Sequence, residues 1–179
     1  MTLEVLVVVV VRVAGSLPVL RWPFAGALVA IAIDFSDLFL RDYLDLGGLG
    51  DYQSLDKWLD QVMLALFLVV ALRWRGPARR IAVALYAFRL VGFVLFELTG
   101  ERNVLVLFPN VFEAWFLAAA FLAWRRPAFA YSGPRTAALL LGCTAVKEVQ
   151  ELLLHGWRVF DAYSTIDLMN AIGRWLTGG

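Results

Sequence analysis

The chain has 179 residues, 61% of them apolar and 17% charged, with a formal net charge of +1. That apolar share, with a mean hydropathy of +0.75, lies well above the roughly 45–50% of soluble domains and argues against one. Near-neutral charge without a basic stripe points away from nucleic acid, and a single cysteine, Cys143, excludes an intramolecular disulfide or a cysteine-based metal site.

Charged gaps divide the chain into apolar stretches, each near the ~20 residues a helix needs to cross hydrocarbon. The first is Leu3–Leu20. Its run Val5–Val11 is preceded by Glu4 and by no Lys or Arg, so it reads as a retained helix and not as a cleaved signal. Arg12 lies mid-span, and Gly15 with Pro18 weakens the helix, so a tilted, broken or partly inserted segment is expected. The next stretches are Pro23–Leu40, Leu55–Leu72, Ile81–Leu98, Val104–Trp124 and Thr136–Leu154. Arg41–Ser54, with Gly47, Gly48 and Gly50, reads as an irregular loop or a short surface helix. In the tail, Phe160, Tyr163, Ile166, Met169, Ile172 and Leu176 recur at helical spacing against Arg158, Asp161, Asp167 and Arg174. An amphipathic interfacial helix over residues 158–176 is expected there. The expected fold class is all-α: one polytopic membrane domain over residues 1–179, a bundle of about six transmembrane helices plus that C-terminal helix.

Orientation follows from the basic residues of short loops. Arg21, Arg73, Arg75, Arg79, Arg80, Arg125, Arg126 and Arg135 gather on one side with no acid among them, whereas Arg41, Lys57 and Arg102 lie among many acids on the other. The arginine side is expected in the cytoplasm, leaving both termini external in a cell membrane. Trp22, Trp74 and Trp124 fall near the inner boundary and Trp58 near the outer one, as an aromatic belt requires.

Ionisable groups in these stretches are costly and face a protein interior or a wet cavity. Asp34 and Asp37 are three apart on one helix face; Asp56 and Asp60, four apart, share another, with Lys57 and Gln61 on the adjacent stripe. Four carboxylates at one level repel unless a cation, a proton, Lys or Arg compensates. Asp51, Asp56 and Lys57 read as wet interfacial residues, Asp56 capping a helix start. Asp34, deep in its span, reads as functional or as half of an ion pair. Arg89 needs an acid, with Glu97 and Glu113 nearest in expectation. Phe108-Pro109-Asn110 interrupts the fifth stretch, and a broken helix with an acid one turn away marks Asn110 and Glu113 as a candidate functional wall. In the sixth, Lys147, Glu151 and His155 repeat at helical spacing with Glu148 on nearly the same face. Glu148, Glu151 and His155 present two carboxylates and an imidazole, a ligand set that suits zinc, manganese or iron. A plain Lys147–Glu151 pair is the structural alternative.

The order Asp34-x-x-Asp37, Arg41, Gly50, Asp56-x-x-x-Asp60 faintly resembles the CDP-alcohol phosphatidyltransferases, whose aspartates hold a divalent metal. By that resemblance Asp34 and Asp37 would be the first metal pair, Asp56 and Asp60 the second. The match fails at Leu38, where the family has Gly, at Arg41, which comes one residue early, and at Tyr52, where Gly should stand. The family's site is also cytoplasmic, the opposite of the orientation expected here. Chance accounts for the echo better than kinship.

No nucleophile elbow, phosphate loop or dinucleotide fingerprint occurs, so no catalytic residue is assigned and enzyme activity stays open. The expected function is binding or transport of a cation, proton or small polar solute through an outward-facing acidic cavity. It would be lined by Asp34, Asp37, Asp60, Arg89, Glu97, Asn110, Glu113, Lys147, Glu148, Glu151 and His155. The alternatives are an intramembrane metal-dependent enzyme acting on a lipid-linked substrate and a structural subunit of a larger membrane complex. A divalent cation is the one cofactor these residues suit. The expected partners are membrane lipids and, as no internal repeat supplies two moving halves, a second copy or another membrane subunit.

Overall fold

The computed structural model describes residues 3–43, 52–101 and 103–151, with side chains described over 5–36 and 55–150 apart from those of 102, 103 and 105. The expected interfacial helix 158–176, His155, and the side chains of Asp37 and Glu151 lie outside the described residues. Among those described, every element is helical: α1 (Leu3–Ser16), a 3-10 turn (Leu17–Leu20), α2 (Pro23–Tyr43), α3 (Tyr52–Ala71), α4 (Gly76–Thr99), α5 (Asn103–Leu107), α6 (Val111–Arg125) and α7 (Gly133–Glu151).

Two expected stretches are divided, each for a chemical reason. In the first, Ser16 Oγ donates to the Arg12 carbonyl at 2.8 Å and Pro18, which has no amide hydrogen, tightens the end into the 3-10 turn. The amides of Arg21 and Trp22 both donate to the Pro18 carbonyl, and Pro23 then opens α2, where a missing donor does no harm. The resulting hairpin is tight. A Cβ on Gly26 would lie 2.3 Å from the Val19 backbone nitrogen, so only glycine permits this approach. In the fifth stretch the chain leaves helix at Phe108-Pro109-Asn110, and α6 restarts with Asn110 as its cap.

Two aromatic contacts show α3 antiparallel to α4 and α2 antiparallel to α6. Trp58 near the start of α3 meets Phe93 near the end of α4, and Phe24 at the start of α2 stacks on Trp124 at the end of α6. The α6 helix is the hub, touching α2, α3, α4 and α7. It buries Val111, Phe112, Trp115, Phe116, Ala119 and Ala120, adjacent pairs recurring every four residues along one broad stripe. Phe116 stacks on Phe67 at 4.4 Å and on Trp74 at 5.1 Å between centroids. Trp115 donates its indole N–H to the Ala78 carbonyl at 3.1 Å.

The outer surface of the bundle is rich in apolar side chains, and a few cations are buried beside its apolar core. On α1, Arg12 is buried while Leu6, Val7, Val10 and Val11 are exposed. On α7, Lys147 is buried at 4% exposure while Leu141 stands at 70% and Val146 at 64%. On α4, Arg89 is buried with Ala78, Ala82, Gly92, Phe93 and Phe96, while Val83, Phe88, Leu90, Val91, Val94 and Leu98 face outward. Gly76–Thr99 is the one helix among the described residues that is long and apolar enough to cross a membrane; Val5–Leu20 and Pro23–Ser36 are shorter apolar helices.

Candidate functional site

Two polar clusters occupy the end of the bundle where α2 and α4 finish and α3 and α6 begin. The first is centred on Arg12. From α1 its guanidinium reaches Asp34 on α2, Asp56 at 2.7 Å and Asp60 at 2.7 Å, both on α3. Lys57 bridges the same α3 pair at 3.0 and 3.3 Å. One ligand oxygen from each of Asp34, Asp56 and Asp60 lies within 4.8 Å of the others. Three carboxylates this close repel strongly, and the fork of one arginine, supplemented by Lys57, supplies the compensation. Arg12 is 5% exposed while Asp34 is 30% exposed, so the cage is closed by protein behind the guanidinium and open beside the acids.

The second cluster joins α6 to α7. Asn110 accepts from the Glu113 amide at 3.4 Å and donates through Nδ2 to Glu113 Oε2 at 2.9 Å, a reciprocal arrangement close to a capping box. The other oxygen of Glu113 takes Lys147 Nζ at 3.3 Å, and Lys147 also donates to Gln150 Oε1 at 3.0 Å. Arg89 stands between the clusters on α4, close enough to Lys57 for their charges to repel. It donates to the Phe108 carbonyl at 2.7 Å, one of the groups left without a helical partner where the chain breaks. A Cβ on Gly92, one turn along, would fall 2.3 Å from Phe108 Cβ, so glycine lets the break pack against α4. Among the described residues three buried side-chain atoms have no hydrogen-bond partner: the acceptor Gln61 Oε1 and the donor Arg89 Nε, and, in the first turn of α7, Thr136 Oγ1.

Set against the residue pattern, the structure brings Asp34 and Asp60 together, and Asn110 with Glu113 and Lys147. It places Arg89 on a backbone carbonyl, where an acid partner had been expected. Glu97 is exposed and Glu148 half-buried. Asp56 and Lys57, read from sequence as wet interfacial residues, are half-buried members of the first cluster; helix α3 starts at Tyr52, so Asp56 lies inside it and does not cap its start. The residue that organises the cage, Arg12, counted in the sequence only as a weak point of the first span. Its mid-span position was the available signal, because an arginine at that depth requires acids. Gln150 gave no signal. The Asn110-x-x-Glu113 cap did, since it has the spacing of an N-cap and its third helical residue.

The opposite end is basic and holds two adjoining concavities. One, of about 190 Å³, is lined by Trp74, Ala119, Leu122, Arg126, Phe129 and Tyr131 among others. The second, about 580 Å³, is lined by Trp74, Arg75, Gly76, Arg79, Arg80 and Val83. Burial pushes the Tyr131 phenol above its ordinary pKa, which keeps it a neutral hydrogen-bonding group. Compared with known protein families, curated proteins and solved structures, the chain matches none.

Proposed function

We propose that the chain is a polytopic membrane protein of six spans, counting α5 and α6 as one broken span. We further propose that its Arg12–Asp34–Asp56–Asp60 cage handles a cation or proton at the external end. The membrane reading draws its support from the apolar outer surface: Val7 and Val10 of α1, Val91 and Leu98 of α4, and Leu141 and Val146 of α7 are exposed. Water makes that surface costly, whereas lipid tails solvate it. The arginine-rich gaps orient the basic end to the cytoplasm.

The single observation that carries the function is the cage itself. Carboxylates from two helices already converge on a cation, the guanidinium of Arg12, which is tethered to a third. A proton or a small cation competes for those oxygens, and Gln61 Oε1 and Arg89 Nε leave polar valence in the same belt. In proteoliposomes, proton or cation flux through the purified protein is expected, and Asp34→Asn or Asp60→Asn abolishes it.

A structural-subunit reading is favoured by one further observation. The described acids Asp34, Asp56, Asp60 and Glu113 each already meet a cation of the chain, Arg12, Lys57 or Lys147, without any added ion. Absence of flux and of cation binding, with stability retained when Arg12, Asp34 and Asp60 are all replaced by neutral residues, decides for that reading.

A further inference from the structure

We propose that the basic end of the bundle carries a headgroup site for an anionic membrane phospholipid, formed by Trp74, Arg75, Arg79 and Arg126 between the start of α4 and the end of α6. Two concavities adjoin at Trp74 and Arg75, which line both. The first has Trp74, Ala119, Leu122 and Phe129 in its walls, and the second has arginines around about 580 Å³. That volume lies within the roughly 300–1,000 Å³ typical of small-molecule sites.

The charge is unbalanced. The sequence has no acid between Asp60 and Glu97, nor between Glu113 and Glu148, the stretches that build this end. Neighbouring arginines are otherwise engaged: Arg73 donates to the Leu20 carbonyl and Arg125 lies over Trp124 at 4.6 Å. Arg75, Arg79 and Arg126 make no ion pair among the described residues. Arg75 is the extended N-cap residue of α4 and Arg79 lies in its first turn, where no side chain caps the helix and its dipole adds positive potential.

The chemistry selects phosphate over other anions in a membrane. Both lysines of the chain, Lys57 and Lys147, stand at the acidic end, and every cation at this end is an arginine. The guanidinium fork matches two phosphate oxygens at once, and its weaker hydration suits a site beside aromatic rings. Basic pockets between helices on the cytoplasmic side are where anionic headgroups bind. The apolar walls of the first concavity would receive the glycerol and upper acyl carbons, so a lipid and not free phosphate is the fitting source.

This inference rests on the membrane reading, and the two can fail separately. Alkaline carbonate extraction of cell membranes tests the first: release of the chain would overturn both. With the chain retained, the purified full-length protein in neutral detergent is titrated with phosphatidylglycerol or phosphatidylcholine and examined by native mass spectrometry. We expect one saturable phosphatidylglycerol, weakened about tenfold by Arg75→Gln or Arg126→Gln and unaffected by Arg21→Gln or Arg135→Gln, which lie outside the concavities. Equal weakening by all four variants would mean diffuse attraction and would overturn the site. Equal retention of both lipids, or saturation by inorganic phosphate alone, would overturn the anionic-lipid assignment. Circular dichroism of each variant confirms that loss of lipid is not loss of fold.

Discussion

Each buried cation in this protein has its own class of partner. Among the described residues Arg12 meets the carboxylates of Asp34, Asp56 and Asp60, Arg89 a backbone carbonyl, and Lys147 one carboxylate and one amide oxygen. A guanidinium distributes five donors in a plane, which lets Arg12 serve acids from two helices at once, while Arg89 lies beside the break at Phe108. Lys147 and Glu113 are 5% and 14% exposed, so leaving either charge unpaired is expensive. Lys147→Met should destabilise the protein by about 3 kcal/mol, and adding Glu113→Gln should restore most of that. Thermal unfolding in detergent measures both; a double variant no more stable than the single one would show that the pair is not coupled.

At the scale of elements, the decisive feature is the break between α5 and α6. Pro109 prevents a continuous helix, Asn110 caps the new one, and Arg89 takes up the stranded Phe108 carbonyl. Gly92 makes this possible by letting Phe108 sit against the α4 backbone. Gly92→Ala places a methyl within 2.3 Å of Phe108 Cβ, close to the α4 backbone, where no flexible side chain can give way. A loss of about 1–3 kcal/mol is expected, and Phe108→Ala in the same chain should recover part of it. If Gly92→Ala unfolds at the unchanged temperature, the break does not depend on that close contact.

For the whole molecule, charge segregation is the organising fact. Among the described residues, acids and both lysines gather at one end and arginines without an ion pair at the other, with an aromatic and aliphatic core that includes α6 between them. If the arginine end is cytoplasmic, a reporter fused at Arg79 reads cytoplasmic and one at Gly48 reads external. Exchanged signals would move the acidic cage to the cytoplasmic side and place the headgroup site outside.

Hydropathy and charge along the chain determined where helices form, which turns divide them and which end is basic, because those properties are local and additive over about 20 residues. The weakening at Gly15 and Pro18 and the interruption at Pro109 were legible for the same reason: proline's missing donor acts within one turn. Partner identity was not legible. Whether Arg12 meets Asp34, Asp56 and Asp60 depends on the rotation of α1, α2 and α3 about their axes and on which helices become neighbours, and no single-helix periodicity contains that information. Asp56 and Lys57 looked wet because they stand near a helix start; the approach of α1 is what half-buries them. Tertiary packing alone likewise turned scattered loop arginines into a cavity, since Arg75 and Arg126 come from gaps far apart in the chain and meet only through the contact of α4 with α6.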